Sequence, residues 1–99
     1  MVSRSVIFYH LKQMIKPLRS RRGATKLGQK LGKRIRGIRQ SKKWTLERLA
    51  ERAGMHVTYL SSIEHGHRNP TLNVLASLSR GLAVSLSELL AGVDKGGEQ

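Results

Sequence analysis

The stretch 45-TLERLAERAGMHVTYLSSIEHG-66 contains two short helices with almost nothing between them. Thr45 is a candidate N-cap, because its hydroxyl can accept a free backbone N–H of the first turn. Leu46, Leu49, Ala50 and Ala53 then recur as one apolar stripe. Gly54 provides the stop, since glycine takes the left-handed conformation of a helix C-terminus without steric cost. The next helix starts two or three residues later, with Leu60 and Ile63 inward and Gly66 at its end. Two short helices joined so tightly through a glycine form a helix-turn-helix. Such a unit leaves one helix exposed, and an exposed helix fits the major groove of DNA with its N-terminal residues near base edges. Short helix pairs with a glycine turn also occur in ordinary bundles, so the turn alone leaves both readings open.

On the N-terminal side, Leu27, Leu31, Ile35 and Ile38 recur at helical spacing. Gly28, Gly32 and Gly37 weaken that helix by about 1 kcal/mol each relative to alanine, so it depends on packing. Lys30, Lys33, Arg34, Arg36 and Arg39 occupy its other faces. Trp44 stands at the apolar position before the next cap and reads as core. On the C-terminal side, 67-HRNP-70 forms a turn and Thr71 caps a fourth helix with Leu72, Leu75, Ala76, Leu78 and Leu82 inward. Ser85 with Glu88 is a capping box for a fifth helix, Leu86 to Leu90. The expectation is an all-α fold of five helices over residues 27–91, a disordered tail over 92–99 and a basic extension over 1–26.

That extension carries seven Lys/Arg and no acid. Within it, 6-VIFYHLKQMIKPL-18 has apolar residues at 7, 11, 14, 15 and 18, which is helical spacing, while Val6–Tyr9 also suits a strand. Pro17 ends a helix near Lys16, and 19-RSRRGATK-26 reads as a basic linker. Met14 offers a second start. The layout is not that of a signal peptide, although a basic, acid-free start also fits a transit-type segment. No run approaches the roughly 18 apolar residues of a membrane span. The 99 residues suffice for one small domain, whose limited core favours dimer formation. The net charge is +13. Residues 1–43 hold 14 Lys/Arg and no acid, whereas 44–99 hold 5 Lys/Arg against 6 acids. A one-sided basic block reads as a phosphate-facing surface, with a solvated tail, a membrane surface and an acidic protein as the other readings.

The stretch 31-LGKRIRGIRQSKKWTLERLAERAGMHVTYLSSIEHGHRNPTLNVLASLSRGLAVSLSELL-90 resembles the phage repressor and Cro (XRE-like) family of helix-turn-helix domains. The resemblance rests on Arg34, Arg39, Leu49-Ala50, Ala53-Gly54, Tyr59-Leu60, Ile63-Glu64 and Gly66, and continues through Asn69-Pro70-Thr71-Leu72, Leu82, Val84, Leu86 and Glu88-Leu89. It implies a cytoplasmic, nucleoid-associated homodimer on double-stranded DNA, acting as a sequence-specific transcriptional repressor, with a recognition helix over about 57–65. Val57, Thr58, Ser61 and Ser62 match base-reading positions. Val57 offers an apolar contact to a thymine methyl, and Thr58 and Ser62 offer hydroxyls. Thr45, His56, Tyr59, Arg68 and Lys43 are the phosphate candidates, with core packing the competing role for Tyr59 and a solvated turn for Arg68. Arg39 and Glu64 are implied to form a partly buried ion pair. Apolar Leu82, Val84, Leu86 and Leu90 suggest a dimer interface at the fifth helix.

The sequence departs from the family at two positions. Leu46 stands where the family has glutamine, which removes a phosphate contact. His56 stands where a Ser, Thr or Asp cap is usual, and its imidazole can accept from the backbone or donate to phosphate. The absence of cysteine removes thiolate chemistry and cysteine-based zinc sites. His56, His65 and His67 match no structural zinc spacing. No nucleophile motif, metal or cofactor is expected, so the chain reads as a binding protein and not an enzyme. Two other classes stay open: an antitoxin-type autoregulator that binds a small protein partner through residues 6–18, and a non-specific basic nucleic-acid-binding protein.

Overall fold

The computed structural model describes residues 25–95. Residues 1–24 and 96–99, with the expectations for the extension, for segment 6–18 and for the end of the tail, lie outside it. Five α-helices follow one another: α1 Lys26–Ser41, α2 Leu46–Ala53, α3 Val57–Glu64, α4 Leu72–Leu82 and α5 Leu86–Leu89. No strand occurs among the described residues.

Local chemistry sets most of these boundaries. The hydroxyls of Thr25, Thr45, Thr71 and Ser85 accept from the amides of Gly28, Arg48, Val74 and Glu88, each three residues on. Each cap satisfies one of the donors that a helix start leaves without a partner. Thr25 was read as linker; its cap starts α1 at Lys26. Gly54 ends α2 at φ +70°, and the amides of Gly54 and Met55 donate to Glu51 and Ala50 carbonyls. His56 occupies the N-cap of α3 and its side chain makes no capping hydrogen bond.

The core comprises Leu31, Ile35, Leu49, Ala50, Leu60, Ile63, Leu78, Leu82, Leu89 and Val93. Each fully buried aliphatic side chain contributes about 1.5–3 kcal/mol relative to exposure. α2 packs on α4 and on α3, and α1 packs on α3. Trp44 and Tyr59 pack against this core from its edge.

Three expectations about burial are corrected. Leu27 and Leu72 are 59% and 68% exposed, although both continue apolar stripes. Each lies in the first turn of its helix, where the stripe has not yet reached the core. Val93 is 7% exposed and joins the core, so the packed body extends beyond residue 91 into the segment read as tail. Its place is held from α1: Lys30 Nζ donates to the Lys95 carbonyl at 2.7 Å, and Arg34 donates to the Glu88 and Leu89 carbonyls at 2.7 and 3.3 Å. The Glu88 carbonyl also accepts from the Ala91 amide at 3.2 Å, and the arginine adds a side-chain donor to the carbonyls that the end of a helix exposes. Leu82 is fully buried and drops out of the expected dimer surface, leaving half-buried Val84, Leu86 and Leu90.

The glycines of α1 divide into two kinds. A Cβ on Gly32 would meet the Glu64 carbonyl carbon at 2.6 Å and the Ile63 carbonyl oxygen at 2.7 Å, so α3 lies directly against the α1 backbone. Gly37 has nothing within 4 Å of that position.

Candidate nucleic-acid interface

The exposed face of α3 forms the wall of a shallow groove. Val57, Thr58, Ser61 and Ser62 line it together with Leu46 from α2 and with His65 and His67 beyond α3. The four base-contact candidates therefore share one surface. Thr58 is exposed and the other three are half-buried. Leu46 adds an apolar side chain from α2 to the lining.

Sequence reasoning sets metal binding aside for His65 and His67 and gives them no other role. The spacing Ser61–His65, one helical turn, was the available signal that His65 continues the Thr58–Ser61 face. His65 Nδ1 lies 2.7 Å from the Ser61 carbonyl oxygen. A carbonyl only accepts, so Nδ1 carries the proton and Nε2 is left as the outward nitrogen. The His65 and His67 rings stack at 6.3 Å between centroids. No group of three or more potential metal ligands occurs among the described residues.

None of the five phosphate candidates lines this groove. Thr45 is exposed at the start of α2, with its oxygen accepting from Arg48 N–H and its own O–H left to donate. His56 is exposed at the start of α3. Lys43 is exposed in the α1–α2 turn at φ +61°, a conformation that costs energy in a residue with a Cβ. Arg68 is exposed in the α3–α4 turn, and its guanidinium lies 5.4 Å from the centroid of the half-buried Tyr59 ring. The ring thereby acts as a platform for the cation.

α3 is held from behind by a fork of hydrogen bonds. Arg39 Nε donates to Glu64 Oε2 at 2.7 Å and its Nη2 to Oε1 at 2.9 Å. Arg39 Nη1 donates to the Trp44 carbonyl at 2.9 Å, tying the α1–α2 turn to the same centre. The side chains of Glu64 and Arg39 are 2% and 12% exposed. Arg36 adds a longer contact, 3.6 Å, from the solvent side. Donating these hydrogen bonds to Glu64 raises the Arg39 pKa above its ordinary value despite burial, and the Glu64 and Glu47 charges add to the effect. Trp44 is in turn covered by the Arg52 guanidinium 4.2 Å from its ring centroid, and Arg52 Nε donates to the Gly81 carbonyl at 2.7 Å. The chain Glu64–Arg39–Trp44–Arg52–Gly81 thus links α3, α1, α2 and α4. No buried side-chain polar atom lacks a partner among the described residues.

The chain is similar to known helix-turn-helix proteins in sequence and in fold. The family model HTH_3, helix-turn-helix, matches residues 35–89. The HTH-type transcriptional regulator DdrOP3 of Deinococcus deserti is 39% identical over 70 residues, covering 71% of this chain and 54% of that protein. The immunity repressor protein of Bacillus phage phi105 is 35% identical over 60 residues, covering 61% of this chain and 42% of that protein. The chain therefore spans about half the length of these relatives. Among solved structures, the restriction-modification controller protein C.AhdI of Aeromonas hydrophila is 32% identical with a TM-score of 0.62, covering 63% of this chain and 94% of that one. No described helix is long and apolar enough to cross a membrane.

Proposed function

The chain belongs to the HTH_3 helix-turn-helix family of DNA-binding transcriptional regulators, which are not enzymes, and from that premise we propose that it is a sequence-specific repressor that inserts α3 into the major groove of its operator. The observation that carries this reading is the shared groove of Val57, Thr58, Ser61 and Ser62 on a helix clamped by Arg39 and Glu64. A clamped helix presents its side chains at one angle, which base readout requires. Thr58 and Ser62 contribute hydroxyls, which bond to any base, and Val57 favours a thymine methyl. Thr45, His56, Lys43 and Arg68 contact phosphates on either side and set the register. Tyr59 supports Arg68 rather than reaching a phosphate itself.

The repressor acts as a two-fold dimer through Val84 and Leu86, whose side chains remain half-buried in one chain. Two recognition helices then read half-sites about 10 base pairs apart, or a multiple of that. Selection of bound fragments from a random DNA pool tests the whole reading. The expected product is a pseudo-palindrome bound about 10³–10⁷ times more tightly than random DNA at physiological salt. A pool that stays random, with affinity set by salt alone, would identify a non-specific binder instead.

A further inference from the structure

A second groove, of about 870 Å³, opens on another part of the domain. Leu27 and Leu31 of α1, Pro70, Leu75 of α4, Leu90 and Val93 give it an apolar floor and walls. Leu27, one of the two large exposed apolar side chains among the described residues, lines it as well. The floor is held in place, because Lys30 and Arg34 bind the backbone that carries Leu89 to Lys95. We propose that this groove is the docking site of residues 6–18 of the same chain.

Three observations select that occupant. Thr25, the first described residue, itself lines the groove, so the preceding 24 residues are tethered at its rim. The six residues 19–24 span up to about 20 Å when extended, enough for residues 6–18 to lie in the groove. A short tether also makes docking intramolecular, at an effective concentration in the millimolar range for flexible linkers. Ile7, Leu11, Met14, Ile15 and Leu18 supply aliphatic side chains at helical spacing, matching an apolar groove. The charges are complementary as well. Asp94 lies on the rim and no cation pairs with it among the described residues, while residues 6–18 contain Lys12 and Lys16 and no acid. Arg68, the one Lys or Arg in the groove lining, has its guanidinium on the Tyr59 ring.

The chain has no cysteine, so Gln13→Cys gives a single thiol for a nitroxide label in the full-length protein. Isotope-labelled, spin-labelled chains are diluted into an excess of unlabelled, untagged protein, and amide signals are read by NMR. The expected result is loss of most of the intensity at Leu75, Leu90 and Val93, restored on reducing the nitroxide. The double substitution Leu11→Asp and Ile15→Asp keeps the tether and leaves the folded domain untouched. It is expected to abolish the broadening, as is Leu27→Asp, placed at an exposed side chain. Broadening that survives both changes, or that is absent from the start, overturns the proposal. So does broadening seen only when tagged, unlabelled chains are mixed with labelled, untagged ones, which would make a second copy the occupant. None of these readouts involves DNA, so the result is independent of the functional reading above.

Discussion

Gly32 of α1 lies flush against the Glu64 carbonyl of α3, and the same glutamate is gripped through its side chain by Arg39 one helix flank away. The end of the recognition helix is therefore fixed twice, once by shape and once by charge. Substituting alanine at Gly32 forces the two backbones apart, because the obstructing atoms are backbone and cannot rotate aside. The expected cost is about 1–3 kcal/mol, the range for overpacking a filled core. Gly37→Ala on the same helix meets open space and should stabilise by up to about 1 kcal/mol through helix propensity. Denaturant unfolding of the two variants checks both signs, and equal effects would show that α1 tolerates displacement.

Removing the carboxylate in Glu64→Ala strands Arg39 in a nearly dry site with only the Trp44 carbonyl as partner. A loss of about 3–5 kcal/mol is expected for breaking a buried pair. The pH dependence of the arginine's share follows from its raised pKa. A cation with a raised folded-state pKa stabilises fully below its unfolded value and loses that contribution only as pH rises through the folded one. For Arg39 both lie above the ordinary range of measurement, so its share is constant from neutral to mildly alkaline pH. Melting curves at those two conditions should show the same deficit for the variant.

Thr58 is exposed and makes no contact that holds the fold. Thr58→Ala should therefore weaken operator binding by about 1–3 kcal/mol if the hydroxyl reads a base. The melting temperature should not change. Equal binding of the variant to operator and random DNA would place readout elsewhere on α3.

Because Thr25 caps α1, truncation of the basic extension has to stop at residue 24. Residues 1–24 carry six Lys/Arg. Each phosphate they neutralise contributes about 0.9 to the slope of log affinity against log salt. Deletion should flatten that slope and leave the preferred sequence unchanged. An unchanged slope would separate the extension from DNA binding.

Several features follow from neighbouring residues alone. A threonine or serine that bonds the amide three residues on, or a glycine at positive φ, acts within one turn of chain. Thr45, Gly54, Thr71 and Ser85 could therefore be read without knowing what surrounds them. The stripe through Leu31 and Ile35 was legible for the same reason, since helical periodicity is local. The Arg39–Glu64 pairing came instead from family resemblance, because no local rule joins residues 25 positions apart.

Other features depend on where separate helices meet. Leu27 and Leu72 continue apolar stripes and yet face solvent, because a stripe specifies a direction and not how far along it the neighbouring helix extends. Val93 sits in a glycine-flanked stretch with no period, and it joins the core where Arg34 and Lys30 of α1 bond the backbone on either side of it. Gly32 reads as a weak point in a helix until α3 is placed against it, where the lack of a Cβ permits the approach. His67 becomes part of the α3 groove only once the chain turns at Gly66. The sequence by itself determined the five helices, the caps at Thr45, Thr71 and Ser85, and the family. Tertiary structure decided which apolar faces are covered, which glycines are contacts and which side chains share the groove, because burial and proximity arise from long-range packing that no local period encodes.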